Sequence, residues 1–346
     1  MSLPGVVTRR LDLTRAQILA FRRHAQALDE RLVSGRTSLR RAAWAGLQDS
    51  MPRAALLSIH ARVEGTQPST WEDPSLVQLW GPRFTAFVVP ARDLSAFSLG
   101  RLPDDVKGRR RAEDLAARLH AFLGGRRMTY GEAGRGLGIQ PNQLRYAAAT
   151  GTVLIRWDGA RQPTVWTVPA PQIDPHAARQ QLARRYLRVF GPSTPSAFAQ
   201  WAGIATKGAR VAFDALGPSL TPVRTPIGDG WILIDDERIF REPAGSTASA
   251  RLLPSGDPYF LLQGADRELL VPDADGRGAL WTPRVWPGAV LVAGEIVGTW
   301  RRADAALTIE LWRRLSAKER DEVEAEAESM PLPGIGARVT FGVPIR

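Results

Sequence analysis

Between Leu47 and Leu56 the apolar rhythm of a helix breaks, and three polar side chains of unlike chemistry stand in a row: Gln48, Asp49 and Ser50. An amide, a carboxylate and a hydroxyl at adjacent positions can hold one water by hydrogen bonds or take its proton. Met51 precedes Pro52, and the residue before a proline is pushed out of α geometry. The 48–51 segment is therefore expected to be extended or turn-like, ahead of a helix over 52–63. Side chains alternate in an extended chain, so Gln48 and Ser50 would share one side and Asp49 take the other. Unpaired amides at the start of the next helix favour an anion or an oriented water beside them. A purely structural assignment is the plainer one, in which Asp49 or Ser50 caps those amides and does nothing else.

Few other residues offer chemistry. The chain has no cysteine, which removes disulfides, thiolate metal sites and thiol nucleophiles together. Its four histidines, His24, His60, His120 and His176, are scattered, so no metal site is expected. No phosphate-cradling Gly-x-x-x-x-Gly-Lys loop, His-Glu-x-x-His helix or Gly-x-Ser-x-Gly elbow occurs. The glycines 134, 136 and 138 only resemble a dinucleotide loop, so no cofactor is expected. Asp104-Asp105 and Asp235-Asp236-Glu237 read as solvated turns. The only lysines, Lys107, Lys207 and Lys318, stand in no motif, so no Schiff base and no lyase step are expected.

The charge points to a partner. The chain of 346 residues carries 46 Lys+Arg against 35 Asp+Glu, a net +11, and all but three of the bases are arginine. Arginine forks phosphates and stacks on bases, so the excess favours a nucleic-acid partner. No run of 18 apolar residues and no apolar leader occur, which leads us to expect a cytoplasmic protein without a membrane span. A monomer, nucleoid-associated through its partner, is taken alongside.

The elements that must position these residues fall into four blocks of an α+β chain. In 10–108, a helix opening at Thr14, two further helices over 38–47 and 52–63 and a hairpin of 76–80 with 85–90 give the order of a winged helix. In 109–172 the order returns: a helix over 111–123, a short helix capped by Thr129 with Glu132 three residues on, a turn at Gly138, and a third helix over 141–150. A hairpin of 153–157 with 164–168 closes this block. Asn142, Gln143 and Arg145 occupy the base-reading positions of that third helix, with a solvated face as the plain alternative. In 173–245, helices over 175–189, 194–202 and 206–216 precede strands 220–225 and 231–234, turned by 228–230. Three tandem winged helix-turn-helix modules are thus followed, in 246–346, by a small β-rich domain resembling a partial barrel. Its expected strands are 259–262, 269–271, 289–292, 295–300 and 307–310, with a charged helix over 317–329 and no assigned element in 334–346.

The run Gly46-Leu47-Gln48-Asp49-Ser50-Met51-Pro52-Arg53-Ala54-Ala55-Leu56, continuing to Val63, resembles the signature region of the AlkZ/YcaQ (AlkX)-like winged-helix DNA glycosylases. Arg251-Leu252-Leu253-Pro254, Asp257-Pro258-Tyr259 and Gly298-Thr299-Trp300-Arg301-Arg302 are similar to that family's C-terminal β domain. The resemblance spans about 10–330. It implies hydrolysis of the N-glycosidic bond of cationic alkylated purines in DNA, including bulky N7-alkylguanine adducts and interstrand crosslinks of a genotoxic natural product, as self-resistance repair. It also implies a Gln-aliphatic-Gln or Gln-aliphatic-Asp pair that holds the catalytic water. Gln48 matches the first polar member and Ser50 the second, while Asp49 stands where an aliphatic residue is usual. Either Gln48 with Ser50 orients the water, or Asp49 turns toward the sugar and acts as base. Arg53, Arg145, Arg161, Arg301 and Arg302 are expected to clasp phosphates on both sides of a lesion. The alternative is a winged-helix DNA-binding protein or transcription regulator without catalysis.

Overall fold

The computed structural model describes residues 10–159, 161–242, 249–303, 306–332 and 338–342. It is a mixed α+β molecule, and among the described residues its strands form four small sheets. The first hairpin, Leu76–Trp80 with Ala86–Pro90, takes Leu47–Gln48 as its third strand, antiparallel to Ala86–Pro90. Val153–Arg156 and Thr164–Thr167 pair in the same way and take Met128–Thr129. Leu220–Thr225 and Gly228–Leu233 form the third hairpin, whose turn falls at 226–227 rather than the expected 228–230. Its third strand is Leu11–Asp12, parallel to Leu220–Thr225 and more than 200 residues away in sequence. The opening helix, Arg15–Ala25, accordingly packs on Glu237–Arg241 and Pro175–Phe190.

The fourth sheet has five strands in linear order: Arg251–Leu253, Gly288–Val292, Glu295–Ala303, Ala306–Leu311 and Arg338–Gly342. The last of these gives part of the unassigned C-terminal stretch a place, parallel to Ala306–Leu311. Two expected strands are absent. Residues 259–262 form turns and loop, because Asp257 accepts hydrogen bonds from the Tyr259, Phe260 and Leu261 amides and curls the chain. The run at 269–271 mostly closes the helix Ala265–Leu270. Both are short apolar runs, buried all round, whose hydrophobicity carries no period.

Local chemistry explains the helices that were legible. Thr129 and Glu132 form a reciprocal capping box on Tyr130–Gly136, and Thr14 and Ser316 do the same for Arg15–Ala25 and Ala317–Glu328. The segment Pro141–Thr150 winds as a 3-10 helix. The helix after Gln48-Asp49-Ser50 begins two residues later than Pro52, as Ala54–His60, since Arg53 sits in the left-handed region at φ 64°. Its Leu56 and Ile59 share one apolar cluster with Leu252, Val290 and Trp300 of the five-stranded sheet. Among the described residues no helix is long and apolar enough to cross a membrane.

Candidate active site

Leu47 and Gln48 are held in extended geometry by pairing with Val88 and Phe87, and the ladder continues as the Asp49 amide donates to the Ala86 carbonyl at 2.8 Å. The alternation of an extended chain then separates the three polar side chains. Asp49 turns inward and is only 4% exposed. One of its carboxylate oxygens accepts from the Ala55 amide at 3.0 Å, and the other from Gln78 Nε2 at 2.6 Å. Burial pushes this carboxyl up to about 6, opposed by the Ala55 amide, Gln78 and the nearby Arg53 and Arg156.

Gln48 and Ser50 lie together on the other side, with Gln48 Nε2 donating to Ser50 Oγ at 2.5 Å. That bond leaves the Ser50 hydroxyl proton free to donate. Among the described residues, buried Gln48 Oε1 has no hydrogen-bond partner, an acceptor that ordinarily finds one. The pair therefore offers one unfilled acceptor and one hydroxyl, groups of the kind that hold a water.

A turn from the C-terminal part lies beneath this pair. Gly256 adopts φ +76°, and a Cβ there would stand 3.2 Å from Gln48 Cδ. The turn is tied back by Asp257, fully buried, which takes both Arg62 guanidinium nitrogens at 2.7 Å and the Ser58 hydroxyl at 2.8 Å. Next to it opens a cleft of about 320 Å³, whose walls include Met51, Pro52, Ser255, Trp286, Arg301 and Arg302. Met51 and Val285 are 37% and 49% exposed at its edge, and both guanidinium nitrogens of Arg301 reach the Val285 carbonyl.

The expected DNA-contacting residues divide into three places. Arg301 and Arg302 share the cleft just described with the residues following Ser50. Arg53 lies 5.0 Å from the Trp71 ring centroid, on which Arg156 also stacks at 3.8 Å. Asn142, Arg145 and Arg161 line a separate pocket at the second hairpin, and Gln143 is not among its walls. Sequence reading missed Gln78, whose signal was a lone amide in the apolar strand Leu76–Trp80. It is buried, and joins Asp49 to Trp157, whose amide donates to Gln78 Oε1 at 2.6 Å. Because Gln78 donates to the charged carboxylate, Gln78→Leu should raise the Asp49 midpoint above its starting value of about 6. Carboxyl-carbon NMR titration of the two proteins measures this, and an unchanged or lowered midpoint refutes it.

The sequence matches the DNA glycosylase AlkZ-like family over residues 40–331. The chain belongs to the AlkZ-like DNA glycosylase family. This AlkZ-like chain also shares its fold with the solved structure of Streptomyces sahachiroi DNA glycosylase AlkZ. The TM-score is 0.77 at 19% sequence identity, over 96% of this chain and 100% of the other. No curated protein sequence matches it significantly.

Proposed function

We propose that this DNA glycosylase is monofunctional and hydrolyses the N-glycosidic bond of cationic alkylated purines in double-stranded DNA. Bulky N7-alkylguanine adducts or interstrand crosslinks of a genotoxic natural product are the concrete substrates, and self-resistance repair in the cytoplasm, at the nucleoid, is the role. The observation that carries the mechanism is the unpartnered Gln48 Oε1 beside the Ser50 hydroxyl. Water held there attacks C1′ as the bond to the base breaks. The bond electrons neutralise the cationic base, and the proton of the water leaves to solvent. An N7-alkylated guanine departs neutral, so no general acid is required, and orientation of water with stabilisation of the cationic sugar suffices. Asp49 is a positioning residue in this reading, since one oxygen caps the helix and the other holds Gln78.

One observation favours a second reading. A carboxyl at about 6 is suited to act as a base near neutral pH, which would make Asp49 the base. Arg53, Arg301 and Arg302 serve in either reading to clasp the phosphates of a duplex, and Asn142, Gln143, Arg145 and Arg161 to bind it at the second hairpin. The first three sheets with their helices are taken as tandem winged helix-turn-helix modules, bounded near 108, 172 and 245 and followed by the β domain, in a monomer.

The test is base release from a duplex carrying one N7-methylguanine, and from one carrying a bulky N7-alkylguanine. The expected products are the free modified base and an uncut abasic strand. Salt-dependent binding of undamaged duplex with no base released would make the chain a DNA-binding relative without catalysis.

A further inference from the structure

The second hairpin does more than support Asp49. Gly159, at its tip, adopts φ +85°, and a Cβ there would stand 2.7 Å from Pro52, so the tip lies directly against the segment that follows Ser50. Trp157 is tied to Asp49 through Gln78. Between this hairpin and the first sheet lies a pocket of about 430 Å³, within the range of small-ligand sites. Four of its walls are aromatic: Trp80, Phe84, Tyr130 and Trp157. Polar groups complete the pocket, among them Asn142, Arg145 and Arg161, and buried Arg145 Nε has no hydrogen-bond partner among the described residues.

We propose that this pocket holds an undamaged, unpaired nucleobase, guanine best, taken from the duplex beside the lesion. Aromatic walls stack any base, and an amide with guanidinium donors fits an edge rich in acceptors. Guanine offers two acceptors, O6 and N7, to an arginine fork. Thymine offers a single acceptor on the equivalent edge. The alkylated base itself fits poorly, because it is cationic, its N7 is occupied, and Arg145 and Arg161 stand in the walls. The site is thus distinct from the Gln48–Ser50 pair, while the hairpin that forms one of its walls touches Pro52. It gives the enzyme a hold on the strand that opens when a bulky lesion distorts the helix, where unstacking costs least.

Equilibrium binding by fluorescence anisotropy tests this with three undamaged duplexes: fully paired, with one bulged guanine, and with one bulged thymine. The full-length protein is expected to bind the guanine bulge about tenfold tighter than either of the others. Arg145→Met and Trp157→Ala should reduce that preference to twofold or less, while Trp157→Phe retains it. Circular dichroism melts establish that each variant is folded, and Arg145→Met carries the test if Trp157→Ala is not. Equal binding of guanine and thymine bulges would attribute any preference to the bent duplex and overturn the proposal. So would a preference that survives Arg145→Met. No lesion is present in these duplexes, so the result stands whether or not base release is found.

Discussion

Gln48→Ala is expected to slow base release at least about 100-fold, a loss of some 2.7 kcal/mol of transition-state stabilisation, while leaving affinity for duplex DNA within about threefold. The substitution removes the unpartnered Oε1 and the donor that fixes Ser50, so the water loses both its acceptor and its neighbour's orientation. Ser50→Ala keeps the amide and should cost about tenfold. Asp49→Asn should also cost about tenfold, because an asparagine can accept from only one of the two donors, Ala55 and Gln78, that now face the carboxylate. Neither an amide nor a hydroxyl titrates near neutrality, so between about pH 5 and 8.5 the wild-type rate is expected to vary by no more than the roughly tenfold cost of Asp49→Asn. The alternative has a steeper signature. If Asp49 is the base, its ionised form is the active one, so the rate rises with pH through about 6 and levels above it. Asp49→Asn would then be the most damaging of the three changes and would abolish that rise. Single-turnover rates for the four proteins across this pH range decide between the readings.

What the sequence disclosed about this site was local. Pro52 keeps Met51 out of α geometry and so marked the break in the helix, and the opposite facing of Asp49 follows from the alternation of extended chain; the extended geometry at Gln48 itself comes from pairing with Phe87. The amide bond of the capping assignment is present, since Asp49 accepts from the Ala55 amide, but its other oxygen is taken by Gln78. The Thr129–Glu132 box was legible for the same reason, a chemistry complete within four residues. Contacts made over long separations left no such mark. Asp257 pairs with Arg62 across 195 residues, and Leu11 with Val223 across more than 200, and each segment alone has an ordinary composition. Gln78 was visible only as an amide out of place, because its two partners come from different sheets. The runs at 259–262 and 269–271 were misread as strands for a third reason. Burial on all sides erases the periodicity that distinguishes strand from helix or loop.

Asp257→Ala is expected to cost about 3–5 kcal/mol of stability, the largest effect of any single change outside the site. Arg62 is 1% exposed and Asp257 fully buried, and the pair is joined by two parallel bonds of 2.7 Å. Arg62 has two further partners, the Ser58 carbonyl and Gln26 Oε1, each at 2.9 Å, so its fork is held in place on the removal of Asp257. The guanidinium charge would then remain buried without a counter-charge, which costs far more than an exposed pair is worth. The double variant Arg62→Met with Asp257→Leu should be less destabilised than Asp257→Ala alone, because it removes the stranded charge along with its partner. Function should follow geometry in these proteins. Asp257 ties the turn carrying Gly256 to the helix Ala54–His60, and that turn packs on the Gln48 side chain. Asp257→Ala should therefore slow base release even at temperatures where it remains folded, since misplacing a positioned group is costly. Denaturant melts of the three proteins, followed by single-turnover rates below the onset of unfolding, measure both effects. A single variant that melts within about 1 kcal/mol of wild type would show that this pair is not what fastens the two halves of the site.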